Sequence, residues 1–97
     1  MAKQIVWTKK AETVFSKILE YYIQRNGNNT YSKKLLYEIK RLTDLLSKHP
    51  WIGIRTKEQN IRVLINKNYK IFYRIETTTI IILLIWDSRQ NPKDLKL

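Results

Sequence analysis

The chain has 97 residues and no cysteine, and its 19 Lys and Arg against 8 Asp and Glu give a formal net charge of +11. That length makes one domain over residues 1–97, with a modest apolar core and neither disulfide nor thiol chemistry, and the single His49 does not build a metal site alone, so no metal and no cofactor is expected. A positive field of this size on so small a body exceeds what solubility asks for and points to nucleic acid, a ribonucleoprotein or an acidic protein as partner.

Met1-Ala2-Lys3-Gln4 lacks the apolar stretch of a secretory signal, which predicts an intracellular, cytoplasmic protein. Gln4-Ile5-Val6-Trp7 reads as a brief strand, and Thr8 is placed to cap a following helix. In that helix Ala11, Val14, Phe15, Ile18, Leu19 and Tyr22 recur on one apolar stripe, and Asn26-Gly27 supplies the stop. A second helix starts near Asn29-Thr30, carries Tyr31, Leu35, Ile39, Leu42 and Leu46 on its stripe, and ends before Pro50. The short link predicts an antiparallel helical hairpin whose two stripes pack on each other and on a sheet. His49 through Asn60 reads as an irregular loop carrying Arg55 and Lys57, and His49 is placed as a helix-end residue favourable to the helix dipole.

From Ile61 onward three segments rich in β-branched and aromatic residues are separated by polar breaks, the pattern of an antiparallel meander. If Asn66-Lys67-Asn68 forms a three-residue loop, with Asn68 left-handed, then Ile65, Val63 and Ile61 lie opposite Tyr69, Ile71 and Tyr73 and one face is wholly apolar. A two-residue loop would place Ile65 and Val63 opposite Lys70 and Phe72, mixing charge into the face that must be buried, so the three-residue loop is expected. The helices would then cover Ile61, Val63, Ile71 and Tyr73, leaving Arg62, Leu64, Lys70, Phe72 and Arg74 on an open face suited to a polyanion or an amphipathic partner. The third segment, Ile80 to Trp86, does not alternate, which predicts burial on both faces and a central place in the sheet.

The order strand, two helices, three-strand meander, together with Tyr69-Lys70-Ile71-Phe72-Tyr73-Arg74 and the closing Ile85-Trp86-Asp87-Ser88-Arg89-Gln90-Asn91-Pro92, resembles the RelE/ParE superfamily of toxins from bacterial type II toxin-antitoxin modules. The resemblance covers essentially the whole chain and implies a small α+β toxin neutralised by an antitoxin that wraps it. The first function it implies is a ribosome-dependent, metal-independent endoribonuclease that cleaves mRNA and inhibits translation. The alternative is a ParE-like inhibitor of DNA gyrase without catalytic activity. Cleavage by the 2′-hydroxyl needs a proton acceptor and cations around the phosphorane, and basic residues alone can serve. By resemblance Lys70, after the Tyr that opens the second meander strand, and Arg89, just beyond the last strand, take the catalytic places. Arg55, Lys57, Arg62 and Arg74 are then the RNA contacts, and Leu64, Phe72, Leu83 and Ile85 form the apolar patch for an acidic cognate antitoxin. One departure stands out: RelE-like enzymes use a C-terminal Tyr near the scissile group, and no Tyr follows Tyr73 here.

Overall fold

The computed structural model describes residues 2–89. Strand β1 (Gln4–Trp7) leads into helices α1 (Lys9–Asn26) and α2 (Thr30–Lys48), and a 3-10 turn (Pro50–Ile52) follows. Strands β2 (Ile54–Arg55), β3 (Ile61–Asn66), β4 (Tyr69–Ile75) and β5 (Thr79–Asp87) complete a five-stranded sheet in the order β1-β5-β4-β3-β2. Among the described residues only β1 is parallel to its neighbour, β5, and every other pairing is antiparallel. Among the described residues no helix is long and apolar enough to cross a membrane.

The helices form where their local signals put them. Thr8 stays extended and its hydroxyl accepts the Ala11 N–H at 3.0 Å, satisfying one of the N–H groups that a helix start leaves unpaired. Gly27 ends α1 at φ 71°, a left-handed geometry that costs a side-chain-bearing residue more than glycine. Ala11, Phe15, Ile18 and Tyr22 of α1 and Leu35, Ile39, Leu42 and Leu46 of α2 are buried, and Val14, Leu19 and Tyr31 pack at the margin. The hairpin is tied by Ser32, whose hydroxyl donates to the Leu19 carbonyl at 2.6 Å. Both stripes rest on the same sheet face, where Tyr69, Ile71, Tyr73 and Ile75 of β4 pair with Asp87, Ile85, Ile82 and Ile80 of β5. Burying one such large side chain stabilises the fold by about 1.5–3 kcal/mol relative to leaving it in water.

Strand β5 shifts register between Phe72 and Tyr73, leaving Leu83 as the extra residue. The bulge lets both Ile82 and Ile85 face the core despite their odd spacing, so part of the non-alternating run reflects a kinked strand. The remaining part is burial of Leu84 and Trp86, which line a cavity of about 660 Å³ against α1. Beyond Ile82 the partner β1 has ended, and the Thr8 amide bonds the Ile82 carbonyl at 3.1 Å to hand over to the helix. Strand β5 is therefore interior, as expected, while β4 holds the middle of the sheet.

The β3–β4 register differs from the one the sequence suggested. Asn66 pairs with Tyr69, Ile65 with Lys70, Leu64 with Ile71, Val63 with Phe72, Arg62 with Tyr73 and Ile61 with Arg74, so the loop is the two residues Lys67-Asn68. Lys67, not Asn68, takes the left-handed conformation, at φ 56°. Every β3 side chain is thus on the opposite face from the expected one. Leu64 packs against the core and Arg62 lies on its side, whereas Ile61, Val63 and Ile65 join Lys70, Phe72 and Arg74 on the other face. The expectation required a buried face free of charge. A cation is tolerated on the core side because Arg62 lies near the sheet edge, where two carbonyls take its guanidinium, Trp51 at 3.2 Å and Gly53 at 2.8 Å. Lys70 meets Ile65 at little cost because Ile65 is 50 % exposed there and Lys70 itself is only half-buried.

Candidate functional site

Arg89, just past β5, is held by residues from four elements. Its Nε donates to Asp87 Oδ1 at 2.9 Å and its Nη2 to Oδ2 at 3.0 Å, and its backbone N–H also reaches Oδ1 at 2.9 Å. The same Nη2 donates to the hydroxyls of Tyr69 at 2.8 Å and Tyr31 at 3.2 Å, which are themselves 2.7 Å apart. The Tyr22 hydroxyl donates to Asp87 Oδ2 at 2.8 Å, and the guanidinium lies 4.9 Å from the Tyr22 ring centroid and 5.6 Å from that of Tyr69. Three tyrosines, from the end of α1, the start of α2 and the start of β4, therefore close around one ion pair.

The electrostatics follow from that geometry. Asp87 has a side chain only 4 % exposed. Burial alone would raise its pKa, but the Arg89 hydrogen bonds and the Tyr22 hydroxyl outweigh it and hold the carboxyl below the ordinary carboxylate range. Burial, and then the hydrogen bond to Asp87, push the Tyr22 hydroxyl up to about 12. Burial and the Tyr31 contact raise Tyr69 as well, and the Asp87 hydrogen bond raises Arg89 further above its already high value. These shifts keep Asp87 a carboxylate, Arg89 a guanidinium and Tyr22 and Tyr69 neutral phenols at neutral pH.

The other expected site residues lie apart from this cluster. Lys70 is on the opposite face of the sheet, between Ile65 and Trp86 across the strands, so Lys70 and Arg89 do not share a face. Arg74 is on the Lys70 face and pairs with Glu76 at 3.8 Å, both side chains largely in water, where such a pair is worth little. Arg55 and Lys57 are exposed at the far edge of the sheet, by β2 and the loop after it. Arg62 is not on the open basic face but lies over Trp51, its guanidinium 5.1 Å from the ring centroid. The expected antitoxin patch divides too: Ile85 is fully buried, Leu64 packs on the core, and only Phe72 and Leu83 remain half-buried outside it.

Phe72 instead has Val63 beside it, then Ile54, with Ile61, Ile65 and Ile81 on the same face. This face is apolar along its middle and carries Lys70 and Arg74. The sequence marked Phe72, Lys70 and Arg74 but not their aliphatic neighbours, because those follow from the register alone. The tyrosine shell of Arg89 was likewise not anticipated; its one local sign is the Asp87-Ser88-Arg89 spacing of opposite charges.

The sheet order, with a helical hairpin on one face and an apolar opposite face with basic residues, fits the lineage suggested by the closing strand. The family model described as ParE toxin of type II toxin-antitoxin system, parDE, matches residues 5–92. The chain belongs to the ParE toxin family. Among solved structures, the chromosomal ParDE toxin-antitoxin system from P. aeruginosa is similar at TM-score 0.75 and 20 % identity, covering 89 % of this chain and 96 % of that one. The toxin-antitoxin complex RelBE2 from Mycobacterium tuberculosis is similar at TM-score 0.67 and 17 % identity, covering 90 % of this chain and 99 % of that one. At these identities the likeness establishes the shared α+β fold. Among curated proteins none matches the sequence closely enough to register.

Proposed function

We propose that this ParE-family toxin acts by binding DNA gyrase and does not cleave RNA, and that an acidic cognate antitoxin silences it by docking on the open sheet face. The observation that carries this reading is the state of Arg89. Its guanidinium is bound on both sides of a fork to Asp87 and capped by two phenols. A phosphate arriving on the open side of this side chain, which is 42 % exposed, meets a guanidinium whose charge Asp87 already offsets, and repulsion from that carboxylate opposes its binding. Lys70 faces the other way, and Arg55 and Lys57 stand at the far edge, so these cations do not converge on one scissile phosphate. Positioned convergence is what turns cations into transition-state stabilisation. Spread over a surface, they steer a negatively charged partner instead. The match to the ParE family model, whose members act on gyrase by the resemblance described above, supports the same reading. The two solved neighbours are toxin-antitoxin systems, which supports a cognate antitoxin for this chain. Phe72 and Leu83, with Val63 and Ile65 beside them, offer that antitoxin an apolar strip within reach of Lys70 and Arg74.

The test runs purified toxin in a gyrase supercoiling assay beside cleavage of mRNA on programmed ribosomes. Blocked supercoiling with intact mRNA is the expected result. Cleavage of mRNA with normal supercoiling would replace this reading by the ribonuclease one, and Lys70→Ala and Arg89→Ala would then be the first variants to examine.

A further inference from the structure

At the far edge of the sheet Trp51, Ile52 and Ile54 project into solvent, 62 %, 44 % and 59 % exposed. Trp51 and Ile52 lie in the 3-10 turn and Ile54 in the short strand just after it, and exposed apolar side chains so close together along the chain are costly in water. This loop is fastened outward. The Tyr73 side chain, 0 % exposed, donates its hydroxyl to the Pro50 carbonyl at 2.7 Å and accepts the Gly53 N–H at 2.9 Å. Arg62 holds the Trp51 and Gly53 carbonyls and lies over one face of the Trp51 ring. Pro50 opens the 3-10 turn with its φ fixed by the ring. Gly53 passes so close to Tyr73 that a Cβ there would sit 2.8 Å from the ring carbon Cε1. A core tyrosine, a sheet arginine, a proline and a glycine thus all serve to present one exposed knuckle.

We propose that this knuckle is the surface with which the toxin grips its target, and that the target presents a protein hollow, apolar at its floor and rimmed by carboxylates. The proposal rests on the target-binding reading above only for the identity of the target. Trp and Arg are the residue types that dominate binding hot spots, and a Trp already pinned by a cation loses little freedom on docking. Trp51 shares a surface hollow with Arg55, Lys57 and Arg62 against the single Glu58, and this basic surround selects an acidic partner. Ile52 and Ile54 argue for protein over nucleic acid, because aliphatic side chains give bases no ring to stack on.

The experiment compares the parent with Trp51→Ala, Ile52→Ser, Ile54→Ser and the pair Arg55→Glu/Lys57→Glu. Folding is checked by circular dichroism and melting. The readouts are growth arrest at matched expression, inhibition of supercoiling, and binding to a labelled single-stranded oligonucleotide. The apolar variants are expected to fold and to need at least about thirtyfold more toxin for arrest, the size of a hot-spot loss. The charge reversal is expected to weaken the toxin most at low salt. Folded Ile52→Ser and Ile54→Ser toxins as potent as the parent would overturn the proposal, even if Trp51→Ala fails to fold. Loss of potency that runs parallel to loss of oligonucleotide binding would also overturn it, in favour of a nucleic-acid surface. A parent that arrests growth while supercoiling proceeds would sink the gyrase reading alone, and growth arrest would still decide the knuckle.

Discussion

Removing a single oxygen, by Tyr73→Phe, isolates the clamp on the Pro50–Gly53 turn. The ring stays, so core packing is unchanged to first order, and two hydrogen bonds go: the one to the Pro50 carbonyl and the one from the Gly53 N–H. Each typically contributes about 0.5–1.5 kcal/mol net, and a buried donor left without a partner costs about 1–3 kcal/mol. The Gly53 N–H bond is buried, whereas the Pro50 carbonyl is partly open and regains water, so the full penalty falls on one group. The expected loss is about 2–3 kcal/mol, which for a domain of this size lowers the melting temperature by about 10–20 °C. Urea unfolding followed by far-UV circular dichroism gives the midpoint and slope, with Tyr21→Phe, an exposed tyrosine, as control. An unchanged slope with a lower midpoint is expected for Tyr73→Phe alone. If its unfolding free energy matches that of the control to within about 0.5 kcal/mol, the hydroxyl is not the fastening and the rigid presentation of Trp51 loses its basis.

The β3 register is tested by a pair of truncations: Leu64→Ala should cost about 1–2 kcal/mol, less than the about 2–5 of a fully buried leucine, while Ile65→Ala, at a site 50 % exposed, should stay within about 0.5 kcal/mol. The reverse order in chemical denaturation would restore the slipped register. Asp87→Asn should destabilise by about 2 kcal/mol at pH 7, a buried-pair loss discounted for the partial exposure of Arg89. Because the Asp87 pKa is depressed in the folded protein, its stabilisation is present above the ordinary value of 3.8 and fades as pH falls below it, so parent and variant should converge in acid. A gap that persists unchanged at pH 2 would exclude the ion pair as its cause. On the alkaline side the sign reverses: Tyr22 has a raised pKa, so its contribution is complete below 10.0 and lost as pH rises towards about 12. Tyr22→Phe should remove that part of the alkaline decline in a pH series of melting temperatures, and an unaltered decline would refute the assignment.

What could be read from the chain is what its local chemistry specifies. Thr8, Gly27 and Pro50 set the helix ends through caps and fixed dihedrals within a few residues, and both helices form between those limits. The apolar stripes needed only a period. Strand β2 escaped notice because two residues, Ile54 and Arg55, carry no alternation, and their strand geometry comes from pairing with Val63 and Arg62. The Arg89 shell escaped for a related reason: Tyr22, Tyr31 and Tyr69 lie at the ends of three elements and meet only once the sheet order is set. The α+β fold was legible, and the arrangement of the candidate site was not.

The register error shows how much rests on one loop residue. Reading Asn68 as left-handed made the loop three residues long, and the alternation then placed Arg62 among open cations and Ile61, Val63 and Ile65 in the core. With Lys67 left-handed the same residues exchange roles. Arg62 becomes the residue that ties the sheet to the Trp51 turn, while the aliphatic trio broadens the open face around Phe72. That changes the physics of recognition on this face. A face read as mainly cationic would bind through screened charge and weaken steeply with salt. A face apolar along its middle, with Lys70 and Arg74 among its cations, divides the work: charge governs how fast a partner arrives, and desolvated apolar contact governs how long it stays. Such a surface suits an acidic, amphipathic protein segment better than a phosphate backbone, which agrees with the placement of Lys70, Arg55 and Lys57 away from Arg89 and with the aliphatic pair, Ile52 and Ile54, beside Trp51.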